Sequence, residues 1–249
     1  MEPFLLISGV VAGGIDSIAG GGGLITLPTM ILVLGPGAQA IGSNKIPAIL
    51  AAGMALLVYI RAGHFNFKAS VAFSAAVALG AAIGSHISPL LPVAAFKWFL
   101  AVTCPLILTA VWKKDLWAKT ALPQIATSRS VSGKLLPVLL AGLCCGIYDG
   151  MWGPGAGTFM FLSLLFFAKQ DLFEALAAAK LANTCSAATA LTSYSLGGFV
   201  HWHEGWVLGI GTLIGAYFGA THATKKAAQI VRPTLAVVVL LLLTKLFLS

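Results

Sequence analysis

GGIDSIAGGGGLITLPT (residues 13–29) sets an aspartate and four consecutive glycines inside an apolar run from Phe4 to Leu34. One straight helix over 4–34 would measure roughly 46 Å at 1.5 Å per residue, too long for a bilayer core without steep tilt. Glycine costs about 1 kcal/mol relative to alanine inside a helix, so four in a row mark a break. The sequence predicts two arms, 4–19 and 24–34, roughly 24 and 16 Å long, the second too short to cross. Residues 135–168 have the same layout, with arms at 135–150 and 158–168 interrupted by GPGAG (153–157).

Only 9% of the 249 residues are charged, 59% are hydrophobic, and the mean hydropathy is +0.96. A soluble domain is usually about 25% charged. Apolar runs, each about long enough for a hydrocarbon core of roughly 30 Å, recur along the chain, so the expected class is an all-α polytopic membrane protein. The start, MEPFLLISGV, has Glu2 where a cleaved signal peptide carries basic residues, and none is expected. The net charge of +8 is read as basic cytoplasmic loops, with no nucleic-acid partner. Cys104, Cys144, Cys145 and Cys185 lie in apolar segments without metal-ligand spacing and read as small buried hydrophobes.

Membrane elements are expected at 4–34, 39–60, 69–88, 96–112, 135–168, 172–196, 205–222 and 233–248. The polar stretch 113–134 is a linker between a first repeat (1–112) and a second (135–249). A shift of 135 positions pairs Lys45 with Lys180, Tyr59 with Tyr194, Gly63 with Gly198, Gly80 with Gly215 and Gly84 with Gly219. A shift of 133 pairs Asp16 with Asp149, Gly20 with Gly153 and Gly22 with Gly155. Such duplication is a common plan of secondary transporters.

Basic residues choose between topologies. If each broken segment crosses once, eight basic loop residues lie inside and five outside. If each is a hairpin returning to its own side, eleven lie inside and only Lys97 and Lys245 outside. The second split fits the positive-inside tendency. The expected fold is therefore two inverted repeats, each a broken, re-entrant helical hairpin followed by three transmembrane helices. Both termini are outside and the 113–134 linker is cytoplasmic.

Unpaired backbone is tolerated at membrane depth only inside protein or beside a watery cavity, so the glycine breaks point to a central cavity. Short arms beginning near Leu24 and Thr158 would aim their N–H groups and positive dipole ends at it, as in anion sites at helix N-termini. Thr26 and Thr158 could add hydroxyl donors. Lys45 and Lys180 are either intramembrane charges with a function or long side chains snorkelling to the interface. Ser43, Asn44, Asn183 and Ser186 flank them with neutral hydrogen-bonding groups. Asp16 and Asp149 could pair with the repeat lysines, take up protons, coordinate sodium, or satisfy free N–H groups at the breaks. The five histidines sit near predicted loop ends, and HWHE (201–204) lacks the i, i+4 spacing of a helical metal site. GGGG is not followed by the G-K-[ST] of a phosphate-binding loop. No cofactor or metal is expected.

GGIDSIAGGGGLITLPTMI followed by AIGSNKIPAIL resembles the first-half signature of the sulfite exporter TauE/SafE family of membrane permeases. DGMWGPGAGTFMF followed by AAAKLANTCSAATA is similar to its second-half counterpart, and the resemblance covers nearly the whole chain. It implies ATP-independent transport of sulfite, sulfoacetate or other organosulfonates across the cell (inner) membrane. The family motifs fall here on Gly20, Gly21, Gly22, Gly23, Ser43, Asn44 and Lys45, and on Gly153, Gly155, Gly157, Lys180 and Asn183. Ser43 stands where threonine is usual, and Ala178-Ala179 where hydroxyl residues are usual, which implies a less polar second-half site. Expected partners are the sulfur-containing anion, the lipid bilayer, and protons or sodium as coupling ion, with a homo-oligomer left open. The alternatives are an anion channel, an intramembrane enzyme, for which no nucleophile–base set or metal cluster is found, and a non-transporting subunit.

Overall fold

The computed structural model describes residues 1–19, 21–62, 67–92, 102, 135–170 and 172–222. Among these are eight α-helices and no strand. They are α1 (Glu2–Ala19), α2 (Gly23–Leu34), α3 (Ala38–Arg61), α4 (Phe67–Ile87), α5 (Leu135–Met151), α6 (Ala156–Phe166), α7 (Leu172–Leu196) and α8 (Trp202–Thr221); a 3-10 turn, Ser88–Leu90, follows α4. The segments expected at 96–112 and 233–248, the 113–134 linker, Gly20 and Gly63 lie outside the described residues.

Both apolar runs break at their glycines. Gly21 (φ +100°) stands between α1 and α2, and Gly153 (φ +93°) and Gly155 (φ +72°) stand between α5 and α6. An L side chain is disfavoured in these left-handed conformations, and glycine is not. At 12 and 11 residues, α2 and α6 extend roughly 18 and 17 Å, short of a bilayer core.

The start of α1 meets the start of α8, where His203 Nε2 lies 3.0 Å from Glu2 Oε1. The start of α8 meets the start of α3, where the His201 N–H donates to Ser43 Oγ at 2.8 Å. α2 runs into α3 through Gly35–Gly37, so the α1–α2 unit begins and ends at the same end of the molecule.

Bare glycines let the long helices touch. Gly9 sits against Leu208 and Gly211, Gly13 against Thr212, and Gly219 against Gly14 and Ser17, so α1 and α8 run parallel. In the same manner Gly142 meets Phe73 and Ala76, Gly146 meets Val77, and Gly150 meets Ala81 and Ser85, so α5 runs parallel to α4. The first helix of each half thus packs along a helix of the other half. Small residues at such contacts let backbones approach closely. α3 and α7 run antiparallel: Gly42 lies against Tyr194, while Tyr59 clusters with Ala177.

Polarity is distributed inside out. Ile7, Leu57, Leu79, Leu140, Leu196 and Phe218 are exposed, whereas Ser43, Asn44, Lys45, Asp149, Thr158, Lys180 and Ser186 are buried. An apolar exterior of this extent suits lipid, and internal polar groups then face one another. By length and composition, Ala38–Arg61 and Ser70–Leu90 can cross a bilayer. Cys145 is buried, as its setting predicts, whereas Cys144 is exposed on α5 beside the other apolar side chains of that face.

Candidate functional site

The two breaks meet tip to tip. A Cβ built on Gly23 would stand 3.1 Å from Pro154 Cα and 3.6 Å from both Gly153 O and Gly155 N. Beside this contact lies a cavity of about 40 Å³, room for roughly three waters or one small solute. Gly21, Gly22, Gly23 and Thr26 line it from the first break, and Gly153, Gly155, Ala156 and Gly157 from the second. Asp16, Asn44, Lys45, Asp149 and Asn183 complete the polar wall.

The charged groups pair across the halves. Lys180 Nζ donates to Asp16 Oδ2 at 2.5 Å and to the Asp16 carbonyl at 2.9 Å. Lys45 Nζ donates to the Asp149 carbonyl and stands 3.4 Å from Asp149 Oδ1. Both lysines are buried, Lys45 at 2% and Lys180 at 4% exposure, so neither snorkels. Each ammonium also rests on a carbonyl in the last turn of α1 or α5, where the helix dipole is negative.

Asp16 combines two of the roles open in the sequence, lysine partner and acceptor at the break, whereas Asp149 takes only the first. Asp16 Oδ1 accepts the Gly22 N–H at 3.1 Å while Oδ2 takes Lys180. Asp149 Oδ2 accepts the Ser186 hydroxyl at 2.5 Å. With two lysines and two aspartates, this polar centre carries no net formal charge.

Four residues singled out in the sequence stand back from the cavity wall: Ser43, Thr158, Lys180 and Ser186. Ser43 Oγ donates to Gln39 O at 2.7 Å and accepts from the His201 N–H, tying α3 to the start of α8. Thr158 Oγ1 is buried and has no hydrogen-bond partner among the described residues. The same holds for Asn44 Oδ1, which belongs to a residue of the cavity wall.

The sequence reading missed Ala12, Gly13, Pro47, Ala48, Ala51 and Thr212 on the wall. Ala48 was reachable, because it stands 135 positions before Asn183. Thr212, whose hydroxyl donates to Pro47 O at 3.1 Å and Gly209 O at 2.9 Å, comes from α8 and carries no local motif.

Helices throughout the described residues, an apolar exterior, two interrupted helices and a polar cavity between them make this a membrane protein of the transporter class. The chain belongs to the sulfite exporter TauE/SafE family, whose profile matches residues 5–246. A "Probable membrane transporter protein ORF9" from Sinorhizobium sp. is 33% identical over 243 residues, covering 98% of this chain and 91% of that protein. A "Probable membrane transporter protein" from Haemophilus influenzae is 32% identical over 97% of the chain and 92% of its own length. "Probable membrane transporter protein YfcA" from Escherichia coli K12 is 30% identical over 97% and 88%. No solved structure gives a significant match.

Proposed function

We propose that the chain is a secondary transporter, not an enzyme, for a small sulfur-containing anion such as sulfite, sulfoacetate or another organosulfonate. It is a multi-pass protein of the inner membrane, with both termini outside and the 113–134 linker cytoplasmic. Its halves are inverted repeats, each a re-entrant hairpin and three spanning helices, and substrate moves by one half shifting against the other.

The observation that carries this reading is the shared cavity: both glycine tips line it together with Asn44, Lys45 and Asn183. The antiparallel run of α3 and α7, equivalent under the 135-residue shift, supports the inversion. So does the reciprocal packing of α1 on α8 and of α5 on α4. Gly21, Gly23, Gly155 and Gly157 and the Thr26 side chain line the cavity at two helix starts, an environment suited to an anion, while the N–H groups of Gly22, Gly153 and Thr158 are bonded to Asp16 Oδ1, Tyr148 O and Gly155 O. Gly20 and Ser43 belong to the same motifs. Asp16, Asp149, Lys45 and Lys180 already balance, so an arriving anion leaves the buried site with excess negative charge. A proton or sodium ion entering with the anion restores the balance and is the coupling ion. The open cavity beside the meeting tips also favours transport over a non-transporting subunit.

The test is uptake of ³⁵S-labelled sulfite and sulfoacetate into proteoliposomes. Saturable uptake, counterflow and a dependence on a proton or sodium gradient are expected. Non-saturating flux without counterflow means a channel instead, and no uptake of either anion rejects the substrate class.

A further inference from the structure

The two lysines are equivalent under the repeat, yet their surroundings differ. Lys180 makes two hydrogen bonds, to Asp16 Oδ2 at 2.5 Å and Asp16 O at 2.9 Å, and does not line the cavity. Its carboxylate partner is fixed from the other side by the Gly22 N–H. Lys45 lines the cavity. Among the described residues its one hydrogen bond is to the Asp149 carbonyl, and the Asp149 carboxylate stands off at 3.4 Å. That carboxylate has a separate donor in Ser186 Oγ, so it keeps a hydrogen bond when Lys45 turns away.

Two further features gather beside Lys45. Asn44 is 5% exposed, lines the same cavity, and has an amide oxygen without a partner among the described residues. Turning that amide by 180° presents its NH₂ to a ligand without moving the backbone. A Cβ on Gly153 would stand 3.1 Å from Lys45 Nζ, so bare backbone keeps the space next to the ammonium open.

From these differences we infer that the repeat lysines have divided their work. Lys45 is the cation that contacts the transported anion, leaving the Asp149 carboxylate to Ser186 as the anion arrives, while Lys180–Asp16 is a closed latch between the halves. This rests on the anion-transport reading above and adds that one anion binds per cavity, on the Lys45–Asn44 side.

Charge-neutral double variants separate the two pairs. Lys45→Met with Asp149→Asn removes one pair, and Lys180→Met with Asp16→Asn removes the other. Neither leaves an unpaired buried charge, and both asparagines keep an acceptor for Ser186 Oγ or the Gly22 N–H. Calorimetric titration of the purified full chain with sulfite and with sulfoacetate is the readout. Loss of a charge-assisted contact is expected to weaken binding about thirtyfold or more in the first variant and clearly less in the second, which keeps Lys45 on the wall and loses only the Asp16 charge there. Equal weakening of both, or no weakening of the first, overturns the division of roles while leaving anion transport standing. No binding of either anion to wild type overturns both readings. Wild-type protein labelled with ¹⁵N at lysine Nζ gives an answer independent of how the variants fold. Added sulfite should shift the Lys45 signal and leave that of Lys180 in place, and equal shifts overturn the proposal.

Discussion

Lys180 and Asp16, 164 positions apart in sequence, are joined by a 2.5 Å contact between Nζ and Oδ2. Lys45 and Asp149, 104 positions apart, form the reciprocal pair, so each half's lysine closes on the broken helix of the other half.

Removing one partner of a buried pair strands the other. Lys180→Met is expected to destabilise the protein by about 3–5 kcal/mol, and adding Asp16→Asn to recover most of that. Thermal unfolding in detergent checks this; a double variant as unstable as the single one means that the two groups are not coupled.

Tyr59 and Tyr194 make matching hydrogen bonds. Tyr59 Oη donates to Ser17 O and Tyr194 Oη to Gly150 O, both at 2.8 Å. Each Tyr→Phe change is expected to cost about 0.5–1.5 kcal/mol, and the two together the sum, because the sites share no partner. Unfolding of the single and double variants decides it.

Glycine packing predicts opposite signs at two positions. A Cβ at Gly146 collides with the Val77 carbonyl, whereas one at Gly53 meets nothing within 4 Å. Gly146→Leu should destabilise by about 3 kcal/mol or more, since backbone cannot yield cheaply. Gly53→Ala should stabilise by up to about 1 kcal/mol through helix propensity. Melting temperatures that fall for both, or for neither, contradict the assigned contacts.

Gly153 combines a left-handed φ of +93° with a Cβ position 3.1 Å from both Lys45 Nζ and Asp149 Oδ1. Gly153→Ala should strain the tip and crowd the ammonium, lowering anion uptake by about tenfold or more. Proteoliposome uptake at matched protein incorporation measures it, and wild-type uptake in the variant would remove the tip from the mechanism.

Much of this architecture was legible because it is local. Four consecutive glycines and GPGAG mark breaks by helix propensity alone, and the observed ends at Ala19, Gly23, Met151 and Ala156 follow them closely. The repeat shifts also picked out Lys45, Lys180, Asp16 and Asp149 as a set. What the sequence left open was long-range. Nothing near Lys180 says that its partner is Asp16 rather than a substrate, because a side chain's partner is chosen by packing of the opposite half. Ser43 looked like a site residue from its place beside Lys45, but it points to Gln39 O and the His201 N–H at the helix start. Thr212 was invisible because its place on the wall comes from the α1–α8 crossing.

The most direct measurement is a crystallographic anomalous map of protein soaked in selenite, a heavier analogue of sulfite. A selenium peak is expected in the cavity beside the glycine tips, placed so that selenite oxygens reach Lys45 Nζ and the Asn44 amide. An empty cavity at selenite concentrations that saturate binding, with selenium elsewhere or absent, would contradict an anion site at the meeting of the two broken helices.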